Sequence, residues 1–392
     1  MGVELIDFGL DNKKLIKKFV KFHWKHYKGD RHFIPQLNGE LLGNKLFSMK
    51  GVLTAEHPLH EHVEVHHWLA YKDGKIAGRI AGGINRRFNE FHKVKSASFS
   101  FFECIEDQEV ASRLFQAVID WAKSRGMESV RGPGGQYSNA THEPWQGCLI
   151  DNFHDDPCLE MPYHKYYYAS MIEKHGFKKL KDYYAIQMSK HHPFTESEGI
   201  FMDRLKKRSR VQTRAMDKDN IKGDVLKIIE IYNESWKYNW GFLPVTKEEG
   251  EAMAEMLTMI AVPELIRFAM IDGKEVAMIG FLPDLNETFA LKKSIFGNSD
   301  LVRLMRMFIN RKKIKRYRFF FLGVLPEHKK KGFDGILSFE VRKNLDIVRP
   351  SADRVEASLL LEDNYPIIQL ATDRGMGHIY KTYRIYNYEI PA

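Results

Sequence analysis

The sequence predicts an α/β protein in which a unit built on a mixed sheet occurs twice. Three observations carry this reading. Two hairpins with matching turns, Asp73-Gly74-Lys75 and Asp272-Gly273-Lys274, stand at corresponding places in the two halves. In each half a strand, an amphipathic helix and a second strand follow, an order that implies a crossover and parallel pairing. Each half then closes on a helix stopped by glycine, at Gly176 and at Gly375, and a last strand. The copies meet near residues 189–196, where His191-His192-Pro193 breaks the pattern, so the expected units are 1–192 and 193–392.

Taken in order, Val3 to Ile6 reads as a short strand. Asn12 to Tyr27 is a helix, because Leu15, Ile16, Phe19, Val20 and Phe22 recur at helical spacing. His32 to Leu53 is irregular or helical in part. His66 to Asn85 is the first hairpin, Ser96 to Ile105 a strand, Gln108 to Arg125 an amphipathic helix, and Glu128 to Arg131 a strand ended by Gly132-Pro133. Tyr166 to Lys174 is a helix and Tyr183 to Met188 the strand that closes the first copy. In the second copy, Arg210 to Met216 is a strand, and Asp224 to Trp236 and Thr246 to Met259 are helices. Leu265 to Leu282 is the second hairpin and Val302 to Ile309 a helix. Arg354 to Leu360 is a strand, Asp363 to Arg374 a helix, and Lys381 to Glu389 the last strand.

One stretch points to a ligand. Phe319 to Val324 is an apolar strand, Pro326 to Gly335 a basic loop with glycines, and Ile336, Leu337, Phe339, Val341 and Leu345 fit one side of a helix. A strand, a loop rich in free N–H groups and a helix N-terminus together suit a diphosphate, and Lys329, Lys330 and Lys331 add positive charge. The competing reading is a lysine-rich surface turn.

The 392 residues suggest two or three domains, and 44% hydrophobic content is enough for two cores and argues against disorder. The net charge of +9 is unevenly placed: Arg303 to Lys331 holds eleven Lys/Arg and one acid, and Arg204 to Lys222 eight and two. Such tracts suit phosphate-bearing ligands, anionic lipid or nucleic acid, or form a solvated basic surface. No helix-turn-helix or zinc finger supports nucleic-acid binding. Cys104, Cys148 and Cys158 have neither zinc spacing nor an even count, so a reducing, cytosolic setting is expected, with peripheral contact at the inner membrane face through the basic tracts. His57 to His67 holds several histidines but no complete ligand set, and no metal is expected.

The loop and layout resemble the GNAT (GCN5-related N-acetyltransferase) superfamily, whose acyl-CoA loop follows V-x-P-x-x-[QR]-x-x-G-x-[GA]. Here Val324, Pro326, Lys329, Gly332 and Asp334 fill those positions, with Lys329 in place of Gln/Arg and Asp334 in place of Gly/Ala. The resemblance implies two tandem GNAT-like folds. The first, 1–192, lacks the loop, since its strand runs through Glu106-Asp107 into the helix. The second, 193–392, carries it. It also implies acyl-CoA held by Val324, Leu325, Lys329, Lys330, Lys331, Gly332, Phe333, Asp334, Gly335 and Asn364; the departure at Asp334 either puts a carboxylate where the diphosphate approaches or turns it outward to cap the helix. The family's usual acid tyrosine falls at Ala371. Further runs, among them Phe101-Phe102-Glu103, Asn233-Glu234-Ser235-Trp236, Pro283-Asp284-Leu285-Asn286 and Tyr380-Lys381-Thr382-Tyr383, resemble a bacterial GNAT-like family that includes bacterial ceramide synthase, which joins a fatty acyl-CoA to a sphingoid-base amine.

This implies an N-acyltransferase taking acyl-CoA as co-substrate and an amine as acceptor. Such chemistry needs a base for the amine and a proton for the thiolate. Glu356 and Glu362 flank the strand after the loop and share one strand parity with Ser358, so they are candidate bases; structural carboxylates paired with Lys381 or Arg384 are the alternative. Tyr380 and Tyr383 are candidate acids. Asn239, Trp240 and Asn286 are candidates for the acceptor pocket, or for caps and turns. Two other functions remain open: a transferase using aminoacyl-tRNA, and a non-catalytic binding or regulatory protein.

Overall fold

The computed structural model describes residues 2–47, 49–134, 146–189, 195–292, 297–372 and 376–391, apart from the side chains of 47, 252, 253, 256 and 370. The expected break at His191-His192-Pro193, the 192/193 boundary and the stop at Gly375 lie outside the described residues.

The strands are β1 (Glu4–Phe8), β2 (Val63–Lys72), β3 (Lys75–Asn85), β4 (Ser96–Cys104), β5 (Ser129–Gly132), β6 (Cys148–Leu149), β7 (Lys178–Ser189), β8 (Gln212–Ala215), β9 (Ile266–Ile271), β10 (Lys274–Pro283), β11 (Arg316–Val324), β12 (Arg354–Leu361) and β13 (Gly377–Glu389). The helices are α1 (Lys13–His26), α2 (Asn38–Leu42), α3 (Arg86–His92), α4 (Gln108–Ser124), α5 (Tyr168–Lys174), α6 (Glu196–Ser209), α7 (Ile221–Ser235), α8 (Lys247–Ile260), α9 (Asn286–Phe289), α10 (Asp300–Asn310), α11 (Phe333–Val348) and α12 (Tyr365–Thr372).

All the strands join one mixed sheet, in the order β1-β2-β3-β4-β5-β13-β7-β12-β11-β10-β9-β8, with β6 paired to β13. Read inward from either edge, five strands of one half are followed by the last strand of the other. β13 pairs with β5, and β7 pairs with β12. β7 and β13 pair with each other from Gly377↔Met188 to Asn387↔Lys178. The two copies thus exchange their closing strands. Tyr183, Ala185, Ile186, Tyr383, Ile385 and Tyr386 of these strands are buried in the middle of the sheet.

The crossover order gives parallel pairs where expected, β4 with β5 and β11 with β12. The hairpin turns form at Asp73-Gly74 and Asp272-Gly273, all four residues with positive φ, as the tight connection requires. Three helices escape the sequence pattern, the four-residue α9 among them. α6 buries no residue fully, so it has no full apolar stripe, although Thr195 and Glu198 form a capping box at its start. α3 is short and is capped by Asn85. The helix after the loop begins at Phe333, inside the stretch expected to be loop.

Candidate active site

The second half opens a gap between parallel strands. β11 and β12 pair only from Arg316↔Arg354 to Phe319↔Ala357. Both then run on unpaired to each other, β11 to Val324 and β12 to Leu361, and each leads to a helix at the same edge of the sheet. That edge brings together Lys329 to Gly335 before α11 and Asn364 before α12, where the Asn364 carbonyl accepts from Ile368 N. Trp236 donates its indole N–H to the Leu322 carbonyl on one limb (2.9 Å). Trp240 packs edge-on against Tyr183 (6.1 Å), the residue that faces Leu361 of the other limb. The α7–α8 connection therefore spans the mouth of the gap, with Asn239 exposed upon it.

The two halves treat their crossover helices differently. In the first, Asp107 caps α4 by accepting from Glu109 N (3.0 Å) and Val110 N (3.3 Å), and Lys72 reaches the same carboxylate (2.5 Å). The N-terminal donors of α4 are occupied by the chain's own acid. In the second, Gly332 occupies the cap position of α11 at φ 79 with no side-chain bond, leaving the first-turn N–H groups without an intrahelical acceptor. Asp334 is exposed in the first turn and does not cap the helix, because as the second helical residue it lies past the cap position. Lys329, Lys330 and Lys331 are exposed around the turn. Helix α6 borders it: a Cβ on Gly332 would meet Leu205 at 2.6 Å, and one on Gly335 would meet Met202 at 3.5 Å.

Below the gap lies a buried polar network. Glu356 is 1% exposed; it accepts from Ser358 Oγ (2.8 Å) and from the Tyr380 hydroxyl. Ser358 Oγ accepts in turn from Arg318 Nε (3.1 Å). Burial, and then the neighbouring Glu356, push the Tyr380 phenol well above its ordinary value, so it holds its proton. Arg316 pairs with buried Asp284 (2.5 Å).

The first half supplies the floor. A run of carbonyls from Asp155 to Leu159 turns toward second-half donors. Lys381 bonds Asp155 O (2.7 Å), Arg316 bonds Asp156 O (3.0 Å) and Pro157 O (2.9 Å), Asn286 bonds Cys158 O (2.8 Å), and Arg318 bonds Leu159 O (3.0 Å). A cavity of about 280 Å³ opens beside this loop at the N-terminal ends of β11 and β12, lined by His32, Asp155, Asp156, Asn286, Asp353 and Arg354 among others.

Of the candidate acids and bases, Glu356 and Tyr380 are brought together. Tyr383 is fully buried in the core next to them. Glu362 is not brought to them. β12 ends at Leu361 after a register shift, so the expected shared parity fails there, and Glu362 instead binds Lys179 Nζ (2.6 Å) and Asp182 N (3.1 Å). Arg316 and Arg318, read as part of a basic surface tract, are buried with partners, as is Arg303. The signal that could have exposed them was their alternation in one strand just ahead of an apolar run. The histidines of the 57–67 stretch are spread over separate contacts, His60 to Val52 O (2.8 Å) and His66 to Asp7 (3.0 Å). Among the described residues no helix is long and apolar enough to cross a membrane.

No protein-family model matches the chain. Its fold is the tandem GNAT fold. A tandem GNAT protein from the clavulanic acid biosynthesis pathway superposes with a TM-score of 0.53 at 9% identity, covering 100% of this chain and 99% of its own. A GCN5-related glucosamine N-acetyltransferase region of a fungal multi-domain GH3 β-N-acetylglucosaminidase does so at 0.54 and 9%, covering 98% of this chain and 38% of that one. In sequence, the chain is 29% identical over 383 residues to Protein YghO of Escherichia coli (strain K12), across 97% of this chain and 94% of that protein. It is also 29% identical over 337 residues to the bacterial ceramide synthase of Caulobacter vibrioides (strain NA1000 / CB15N), across 84% and 85%. The resemblance read from the loop and the duplication stands.

Proposed function

We propose that this protein is a CoA-dependent N-acyltransferase that moves an acyl group from acyl-CoA to an amine, the acceptor being a long-chain, sphingoid-type amine. The observation that carries the reading is the contrast between the two crossover helices: α4 is closed by Asp107, while α11 presents an uncapped N-terminus beside a strand gap. The similarity to a bacterial ceramide synthase supports the choice of acceptor. We take the units to be 1–192, without a CoA loop, and 193–392, with one, each completed by the other's last strand.

In this reading the backbone from Lys329 to Gly335, with Val324, Leu325 and Asn364, holds the diphosphate and pantetheine, and the three lysines add field. Trp240 and Asn239 border the acyl and acceptor path, and Asn286 shapes the floor. The amine attacks the thioester carbonyl, so a C–N bond forms and the C–S bond breaks. The amine's proton passes to Glu356 and the Tyr380 proton to the departing thiolate; transfer from Glu356 to Tyr380 restores both groups. The cavity beside Asp155 and Asp353, whose lining mixes carboxylates with Lys315, Arg316 and Arg354, is where the amine's polar end would enter.

The test is incubation with palmitoyl-CoA and sphinganine, with the amide read by mass spectrometry. The N-acyl product is expected. Absence of product with every acyl-CoA length, together with no CoA binding by calorimetry, overturns the reading.

A further inference from the structure

Helix α10 carries its charge inward and its apolar residues outward. On the inner side, Arg303 is fully buried and donates to the carbonyls of Phe289 (3.1 Å), Gln36 (3.1 Å) and Pro35, with Leu304 and Met307 beside it. On the outer side, Leu301, Met305, Phe308 and Ile309 are 52%, 53%, 52% and 70% exposed. Their spacing of four, three and one residues lays them in one stripe along the helix. Single exposed apolar residues are ordinary on a protein surface, but four aligned on one helix form a patch that calls for a partner.

The charge around the stripe identifies that partner. Arg311, Lys312, Lys313 and Lys315 follow directly and are exposed. No Asp or Glu occurs from Leu301 through Pro326. Asp300, at the start of the helix, is turned to the backbone N–H groups of Asn38 (3.0 Å) and Gly39 (2.7 Å), so it is engaged in tying the halves together. An apolar stripe followed by a run of exposed cations matches a surface with apolar depth under a layer of negative charge.

We propose that α10 and the Arg311–Lys315 turn dock this protein on an anionic lipid bilayer. The helix lies in the interfacial plane, its stripe sunk among the headgroups and its cations on the lipid phosphates. At eleven residues it is about 16 Å long, too short to span. A second copy is the weaker occupant, since the stripe and the turn after it offer no acid to receive the other copy's cations. Docking stands apart from acyl transfer. Its consequence for the site does rest on the proposed lipid acceptor: α10 packs on α9, whose Asn286 lines the cavity beside Asp155, so docking brings that cavity toward the bilayer.

The experiment is co-sedimentation of the full chain with phosphatidylcholine vesicles, with and without phosphatidylglycerol, at low and high salt. Binding is expected with phosphatidylglycerol and is expected to weaken about tenfold in high salt. Phe308→Asp/Ile309→Asp is expected to lose binding about tenfold or more, and Lys312→Glu/Lys313→Glu to lose the preference for anionic vesicles. All four side chains face solvent, and unchanged circular dichroism of the charge variant keeps the test valid if the apolar variant fails to fold. No binding to anionic vesicles at low salt overturns the proposal, as does undiminished binding in the folded variants. So does analytical ultracentrifugation showing a wild-type dimer that Phe308→Asp/Ile309→Asp dissolves.

Discussion

The Tyr380 hydroxyl donates to the Glu356 carboxylate across an intervening strand. Tyr380 stands on β13, Glu356 on β12, and β7 lies between them. The contact therefore reaches across a strand that the first half contributes. Tyr380→Phe removes the donor and keeps the ring. It is expected to lower kcat about 10²- to 10⁴-fold with little change in KM for acyl-CoA, while costing only about 1–2 kcal/mol in urea unfolding. Equal loss of KM and stability with unchanged kcat would place the pair in structure rather than chemistry.

The cap position of α11 gives a second prediction. Gly332 has φ 79 and Leu205 at 2.6 Å from where a Cβ would be. Gly332→Ala is expected to destabilise by about 1–2 kcal/mol and to weaken CoA binding together with it. Lys329→Glu/Lys330→Glu/Lys331→Glu leaves the backbone alone, so it is expected to weaken CoA about tenfold or more, without loss of Tm and with a flatter salt dependence. Calorimetry separates the two effects.

Arg318 joins the halves. It is fully buried and donates to Leu159 O, Ser358 O and Ser358 Oγ. Arg318→Met leaves these acceptors without their donor and is expected to cost about 3 kcal/mol or more, read as a lower urea midpoint. Exposure of the Asp155–Leu159 loop to proteolysis is expected to rise with it. An unchanged midpoint would contradict the stapling role.

Acid stability follows from buried histidine. His67 is fully buried against Phe8, and burial pushes its pKa down to about 3. An unfolded histidine titrates near 6.5, so between roughly pH 6.5 and 3 the unfolded chain binds a proton that the native state does not. Stability then rises with pH through that window and is lost as pH falls, by about 1.4 kcal/mol per unit for one such group. Unfolding midpoints measured across this range should show the slope, and His67→Phe should flatten it.

The hairpins, the parallel crossovers and the loop were legible in the sequence because period-two strands, turn residues and the helical stripe of α11 are local signals. The exchange of β7 and β13 was not, since alternation identifies a strand and says nothing of its neighbour. The pairing of Glu356 with Ser358 follows from strand parity, but the same rule misplaces Glu362, because β12 shifts register and stops at Leu361. Arg316 and Arg318 read as surface charge because composition cannot show the carbonyls of Asp156, Pro157 and Leu159 that receive them. The outward stripe of α10 was not legible, since a helical period does not say which side the core occupies.

The proposed acyl transfer from CoA to an amine centres on the Glu356–Tyr380 pair. The most direct measurement is thiol release from palmitoyl-CoA with and without sphinganine, by wild type and by Glu356→Gln. Release is expected to depend on the amine in wild type and to fall about 10²-fold or more in the variant, with CoA binding retained. Amine-dependent release at the wild-type rate in Glu356→Gln would contradict it.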